Sequence, residues 1–373
     1  MRLSIVLFSL LLWLPVAAPP LQANDFGKGL AAYARGDYAT ALSIFRPLAE
    51  AGDAAAQVNL GAMYQTGEGV AQDYGEASRW YRRAADQGLD GAQHNLGRIA
   101  QDYNEAVKWN RRAAEQGNAS AQYNMGLMYY NGYGVAQDYG EASRWYRRAA
   151  EQGLAEAQVY LGAMYELGHG VAQDYGEAVK WFRRAAEQGD AGAQYNLGLM
   201  YGNGRGVAQD YREASRWFRR AAEQGLAEGQ LGLGNMYVEG KGVVQDYNEA
   251  VKWYRRAADQ GNASAQLNLG AMYHTGEGVA QDYREAVKWY RRAAEQGHAG
   301  AQNNLGLASA SLGFKYLDGE GVIQDPVQAH MWFNISTANG RENSAEMRSL
   351  VEEGMSPAQI QEAQARARKC VDS

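Results

Sequence analysis

One cysteine stands in 373 residues, Cys370, three residues from the end. A chain with a single cysteine has no internal disulfide, so its stability must come from packing. A basic excess is missing too: 36 Lys and Arg against 42 Asp and Glu leave a formal net charge of −6. A surface that binds nucleic acid needs surplus cations to displace counterions from phosphate, so nucleic acid is not an expected partner. Histidine is sparse, and His94, His169, His274, His298 and His330 show neither an H-E-x-x-H motif nor a Cys/His cluster. No metal and no cofactor is therefore expected. Phosphate-binding turns and a Ser-x-x-Lys motif are absent as well, because every Gly-x-Gly follows one helical pattern and precedes the next.

No apolar run reaches the roughly 20 residues that a membrane helix needs. The run Leu3 to Val16 follows a single charge, Arg2, and leads through a Pro-rich patch to Leu21-Gln22-Ala23. This reads as a secretory signal peptide over residues 1–23, cleaved after Ala23. The mature chain is then expected to be exported, periplasmic or secreted, without a membrane span. No cysteine stands near the cleavage point to carry a lipoprotein anchor.

What the chain has in abundance is repetition. A small-Gln-x-x-Leu-Gly signature at Gln57 returns at Gln93, Gln122, Gln158, Gln194, Gln230, Gln266 and Gln302, mostly at a period of 36 residues. A fixed period in that range means stacked supersecondary units, so length sets no domain count and one continuous array is expected. A degenerate opening repeat covers 24–53. Eight repeats fill 54–341, with the one at 90–118 shortened by seven residues and the one at 299–341 extended by seven, and a non-repeating tail covers 342–373.

Each unit resolves into two helices. In the first, Ala56, Leu60, Met63 and Tyr64 share a face, Gly61 allows close approach of a neighbouring helix, and Gly67 and Gly69 supply the φ > 0 that helix ends favour. The second opens on Asp73 with Glu76 three residues on, a capping box repeated through Asp282/Glu285. Ala77, Trp80, Tyr81, Ala84 and Ala85 then form an apolar stripe that must be buried by stacking. In the long repeat the insertion echoes Leu305-Gly306 as Leu312-Gly313; seven residues are nearly two turns, so the helix lengthens with its face within about 20° of register. The deletion at 90–118 predicts a local notch. In the tail, Met347, Leu350 and Val351, then Ile360, Ala363 and Ala367, read as two helices that cap the array.

The pattern A-x-x-x-L-G-x-M-Y-x-x-G-x-G-V followed by D-Y-x-E-A-x-x-W-Y-R-R-A-A-x-Q-G resembles the Sel1-like repeat, a relative of the tetratricopeptide repeat with a longer inter-helix loop. The resemblance implies an all-α fold, an α/α right-handed superhelical solenoid that serves as an adaptor for other macromolecules. Some secreted members with cysteine-paired repeats are linked to penicillin binding and hydrolysis, and this chain lacks the paired cysteines.

Comparison of the repeats with one another separates packing positions from free ones. On the first helix, opposite Leu60, positions 58, 62 and 65 vary. Val58 becomes His94, Tyr123, Val159 and Tyr195, and Gln65 becomes Tyr130, Glu166, Gly202, Val238 and His274. These partly aromatic, variable positions suit selective recognition and are expected to line the concave side; the alternative is that they only pack helix on helix. The Arg pairs, such as Arg82-Arg83, are expected on solvated, locally balanced faces. A non-enzymatic exported scaffold for a protein or peptide partner is the leading expectation. A polysaccharide or peptidoglycan partner, and a cell-wall or β-lactam-binding or hydrolysing protein, are the alternatives.

Overall fold

Each repeat carries its own start and stop signals. In the computed structural model, which describes residues 23–100 and 102–372, those signals delimit twenty helices, and no strand occurs among the described residues. The expected signal peptide lies outside them but for Ala23. The described residues form two compact units that divide between Gln152 and Gly153.

In the first unit, α1 (Ala23–Ala34) pairs with α2 (Tyr38–Glu50), α3 (Ala54–Thr66) with α4 (Tyr74–Asp86), α5 (Asp90–Ile99) with α6 (Tyr103–Glu115), and α7 (Ala119–Asn131) with α8 (Tyr139–Glu151). In the second, α9 (Ala155–Leu167) pairs with α10 (Tyr175–Glu187), α11 (Ala191–Asn203) with α12 (Tyr211–Glu223), α13 (Ala227–Glu239) with α14 (Tyr247–Asp259), α15 (Ala263–Thr275) with α16 (Tyr283–Glu295), and α17 (Ala299–Asp318) with α18 (Pro326–Ala338). The tail helices α19 (Asn343–Glu352) and α20 (Pro357–Asp372) both pack on α18. They bury Val351, Ala363 and Ala367, whereas Leu350 points outward at 57% exposure.

The capping box forms only in half. Asp73 accepts hydrogen bonds from the backbone N–H of Gly75 and Glu76 at 2.8 and 3.0 Å, as an N-cap should. Its own N–H is already taken by the carbonyl of Tyr64 at 2.8 Å, and the same bond recurs from Asp138 to Tyr129 and from Asp210 to Tyr201. The glutamate therefore has no orphan donor to reach back to. It pairs forward instead, Glu76 with Arg79 and Glu177 with Lys180, each at 2.6 Å.

Two helices of a pair meet where glycine faces an aromatic ring. A Cβ on Gly61 would lie 2.8 Å from the Tyr81 ring, and one on Gly162 would lie 2.8 Å from Phe182. Successive pairs are tied by a glutamine that is buried for a reason the motif alone does not reveal. Gln57 donates its amide to the Ala49 carbonyl of the preceding pair at 3.0 Å and accepts from Gln87 of its own pair at 2.9 Å. Gln194, Gln230 and Gln266 repeat both bonds, so a buried polar group is satisfied on each side.

The arginines also differ from a merely solvated face. The second of each pair lies over the tryptophan three residues before it, Arg184 at 4.6 Å from the Trp181 ring centre and Arg256 at 4.6 Å from Trp253. The first reaches the next pair, with Arg183 donating to the Tyr201 hydroxyl at 2.6 Å and Arg219 to Tyr237 at 2.7 Å. Helical phase separates these cations from the alanine stripe, but it does not show the neighbouring pair that they cover.

The two irregular repeats keep the same logic with altered parts. In the shortened one, α5 runs to Ile99 and passes through Ala100 toward the Asp102 cap without a Gly-x-Gly loop. The tyrosine that would receive Arg82 is gone, and Arg82 pairs with Glu105 at 2.8 Å instead. Asn110 takes the aromatic position against Gly97 and donates to the Ala106 carbonyl. In the extended repeat, α17 gains its length as continuous helix and buries Leu305, Ala308, Leu312 and Tyr316 on one face. Gly313 takes over the contact with the aromatic ring, here Phe333, while Gly306 lies against Asn339 and Arg341.

Candidate partner-binding surface

Within each unit the variable positions sit where the first helices of successive pairs form a row, and all nine singled-out residues are half-buried. Val58, Val159 and Val238 lean into the cores of their own repeats. At the same position as Val58, the Tyr123 ring packs at 5.8 Å from Tyr146, and Tyr195 packs at 5.7 Å from Phe218. The position of Gln65 faces the first tyrosine of the second helix. Tyr130 lies 5.0 Å from Tyr139, and His274 lies 5.0 Å from Tyr283. Each of these side chains thus spends one face on its own hairpin.

Burial marks their chemistry. It holds the His94 imidazole below its ordinary range, with the Arg98 charge adding to the effect, and it holds His274 low in the same way with Arg341. The Glu166 carboxyl is raised by burial, and Arg205 at 3.8 Å pulls the other way. Tyr195 is raised by burial and by the nearby Glu228 carboxylate.

A variable position inside the Gly-x-Gly loop extends this row. Residue 68 becomes Tyr133, His169, Arg205, Lys241, Glu277 and Glu320. In several repeats it reaches the first tyrosine of the preceding second helix. Glu68 accepts from Tyr38 at 2.9 Å, Tyr133 stacks on Tyr103 at 5.0 Å and 13°, and Lys241 lies 5.3 Å over Tyr211. The signal was legible as a changing letter between two constant glycines, but the loops read first as connectors.

Between α11 and α13 the row opens into a cavity of about 420 Å³. Its walls bring together Tyr195 and Leu199 from one repeat with Leu231 and Asn235 from the next, over Phe218 and Met236. Two glycines account for the space. Gly202 stands where other repeats carry Tyr130, Glu166, Val238 or His274, and Gly232 stands where Asn59, Asn124 and Asn268 recur. In the first repeat Gln65 accepts the Tyr81 hydroxyl at 2.8 Å. Phe218 has no hydroxyl to satisfy, so position 202 is released from that duty. Comparison of repeats found Tyr195 as a variable aromatic, but a cavity needs two adjacent hairpins and is invisible in either alone.

Comparisons with known proteins agree with this architecture. The family profile described as Sel1 repeat matches residues 54–89, 91–118, 119–154, 155–190, 191–226, 227–262, 263–298 and 299–340. Among solved structures, c5321, a protective antigen present in uropathogenic Escherichia coli strains and displaying an SLR fold, is 33% identical. It aligns over 93% of this chain and 91% of its own, with a TM-score of 0.70. A Sel1 repeat protein from Oxalobacter formigenes is 32% identical over 91% of this chain and 98% of its own, with a TM-score of 0.58. The comparison with curated proteins finds no match. With helical hairpins throughout and eight matched repeats, the chain belongs to the Sel1 repeat family.

Proposed function

We propose that this chain is an exported, non-enzymatic adaptor that holds a protein or peptide segment along the row of first helices, acting in the cell envelope. Sel1 and tetratricopeptide-like repeats generally mediate protein–protein interaction, and Sel1 scaffolds are generally non-catalytic. The observation that carries the reading is the contrast between positions. Packing residues such as Leu60, Leu161 and Leu197 recur and are wholly buried, while positions 58, 65 and 68 vary among the repeats and keep an accessible face. Aromatic side chains there offer area and a polar tip at modest entropic cost. Export rests on the composition of residues 1–23.

The test is photo-crosslinking of the chain in envelope extracts of its native host, with Tyr123→Ala, Tyr130→Ala and Tyr195→Ala combined. Loss of the captured partner by about tenfold or more, with far-ultraviolet circular dichroism unchanged, is the expected result. Undiminished capture would refute binding through this row. A mature N-terminus at Asn24 in the periplasmic or secreted fraction, read by mass spectrometry, tests export.

A further inference from the structure

We propose that the cavity between α11 and α13 receives one bulky apolar side chain of a partner protein segment, and that Glu228 at its rim selects a lysine or arginine beside it. This rests on the adaptor reading and specifies its partner.

The floor of the cavity is apolar, while Asn203, Gln209 and Asn235 make part of its walls polar. Phe218 at its floor is 4% exposed, and Met236 beside it is 9% exposed. Leu199 and Leu231 form opposite walls from successive repeats. A space of about 420 Å³ falls in the range that holds small ligands, enough for one aromatic or large aliphatic side chain. Such an anchor would withdraw apolar wall from water without displacing a side chain, since Gly202 and Gly232 have none.

The rim supplies the selectivity. It carries Glu228, Glu239 and Lys241. Lys241 is committed to Glu239 at 2.6 Å and lies over the Tyr211 ring. Glu228 is exposed and makes no ion pair or hydrogen bond among the described residues. The uncompensated charge at the mouth is therefore one carboxylate, beside the Tyr195 phenol. A cation next to the anchor would pair with it, and an acid there would be repelled by it.

The experiment titrates the full chain into fluorescein-labelled peptides in a Gly/Ser frame, with a central Trp-Lys, Trp-Glu or Ala-Lys pair, and reads anisotropy up to millimolar protein. Trp-Lys is expected to bind about tenfold more tightly than Trp-Glu, the difference between one exposed attraction and one repulsion. Ala-Lys should bind most weakly. Glu228→Gln should narrow the Lys/Glu preference while leaving binding of the Trp anchor. Gly202→Tyr should abolish binding, and the fold accepts that residue because Tyr130 occupies the equivalent position. An unchanged urea midpoint confirms that each variant is folded. Equal affinity for Trp-Lys and Trp-Glu, no binding of either, or binding undiminished by Gly202→Tyr would overturn the proposal. If the envelope partner is still crosslinked by Gly202→Tyr, the cavity assignment falls while the adaptor reading stands; if the unaltered chain captures nothing, it is the adaptor reading that falls.

Discussion

Two glycines four residues apart on α11 should respond to the same substitution with opposite sign. A Cβ on Gly198 would lie 2.7 Å from both Cδ1 and Cε1 of Phe218. That ring is 4% exposed, packs with Ala214, Ala222, Leu233 and Trp253, and could give way only toward the cavity, where Gly232 already lies against the same edge. Alanine gains about 1 kcal/mol over glycine in a helix interior, while overpacking a filled core costs about 1–3 kcal/mol. With a rigid neighbour the clash wins, and Gly198→Ala should destabilise the second unit by about 1–2 kcal/mol. On Gly202 the new Cβ would meet Ala214 Cβ at 3.7 Å and Met236 Cε at 3.9 Å, which is ordinary contact. Only the helical gain remains, reduced in the last turn, so Gly202→Ala should stabilise by about 0.5 kcal/mol. Urea unfolding followed by far-ultraviolet circular dichroism reads both as midpoint shifts. In a Phe218→Ala background, where the clashing ring is gone, Gly198→Ala should become neutral or stabilising. A Gly198→Ala midpoint raised as much as that of Gly202→Ala would show that the helix–helix distance is not set by this contact, and the reasoning would fail.

Removal of one stacked guanidinium, Arg184→Ala, should cost about 0.5–1 kcal/mol through its lost contact with Trp181, with Arg184→Lys recovering part of it; an unchanged urea midpoint would reduce these arginines to solvated charges. The low-lying imidazoles predict an acid-sensitive fold. His94 and His274 bind protons less readily folded than unfolded. Stability from these groups is thus fully present above the unfolded value of about 6.5 and is lost as pH falls below it, until the folded groups also protonate. His94→Tyr with His274→Tyr, residues that Tyr123 and Tyr130 already supply at those positions, should flatten the fall in urea midpoint between about pH 7.5 and about pH 5.5. An equally steep fall in that variant would place the acid sensitivity elsewhere.

Helix limits, the glycine stops and the seven-residue adjustments were readable because they are local. Asp73 caps the two N–H groups within reach of its own backbone, and Gly67 at φ 81° needs only its own dihedrals. The glutamate of the capping box misled for a non-local reason: the N–H it was expected to satisfy is taken by Tyr64, nine residues earlier in sequence but folded back by the loop. Arg183 was assigned to solvent because its partner, Tyr201, belongs to the next hairpin. Leu350 fits a helical stripe by spacing, yet α18 covers the other side of α19, where Val351 is buried.

Sequence by itself determined the repeat, its two helices, their ends and the family, since period, caps and apolar spacing act within one unit of 36 residues. Tertiary structure decided what lies between units. Only stacking shows that Gln57 is a bridge between pairs, that residue 68 reaches back to the preceding hairpin, and that Gly202 and Gly232 leave their missing side chains as one space. The physical reason is that a solenoid repeat completes its buried surface with its neighbour. What a position does therefore depends on two adjacent repeats, and its letter in one of them states only half of that contact.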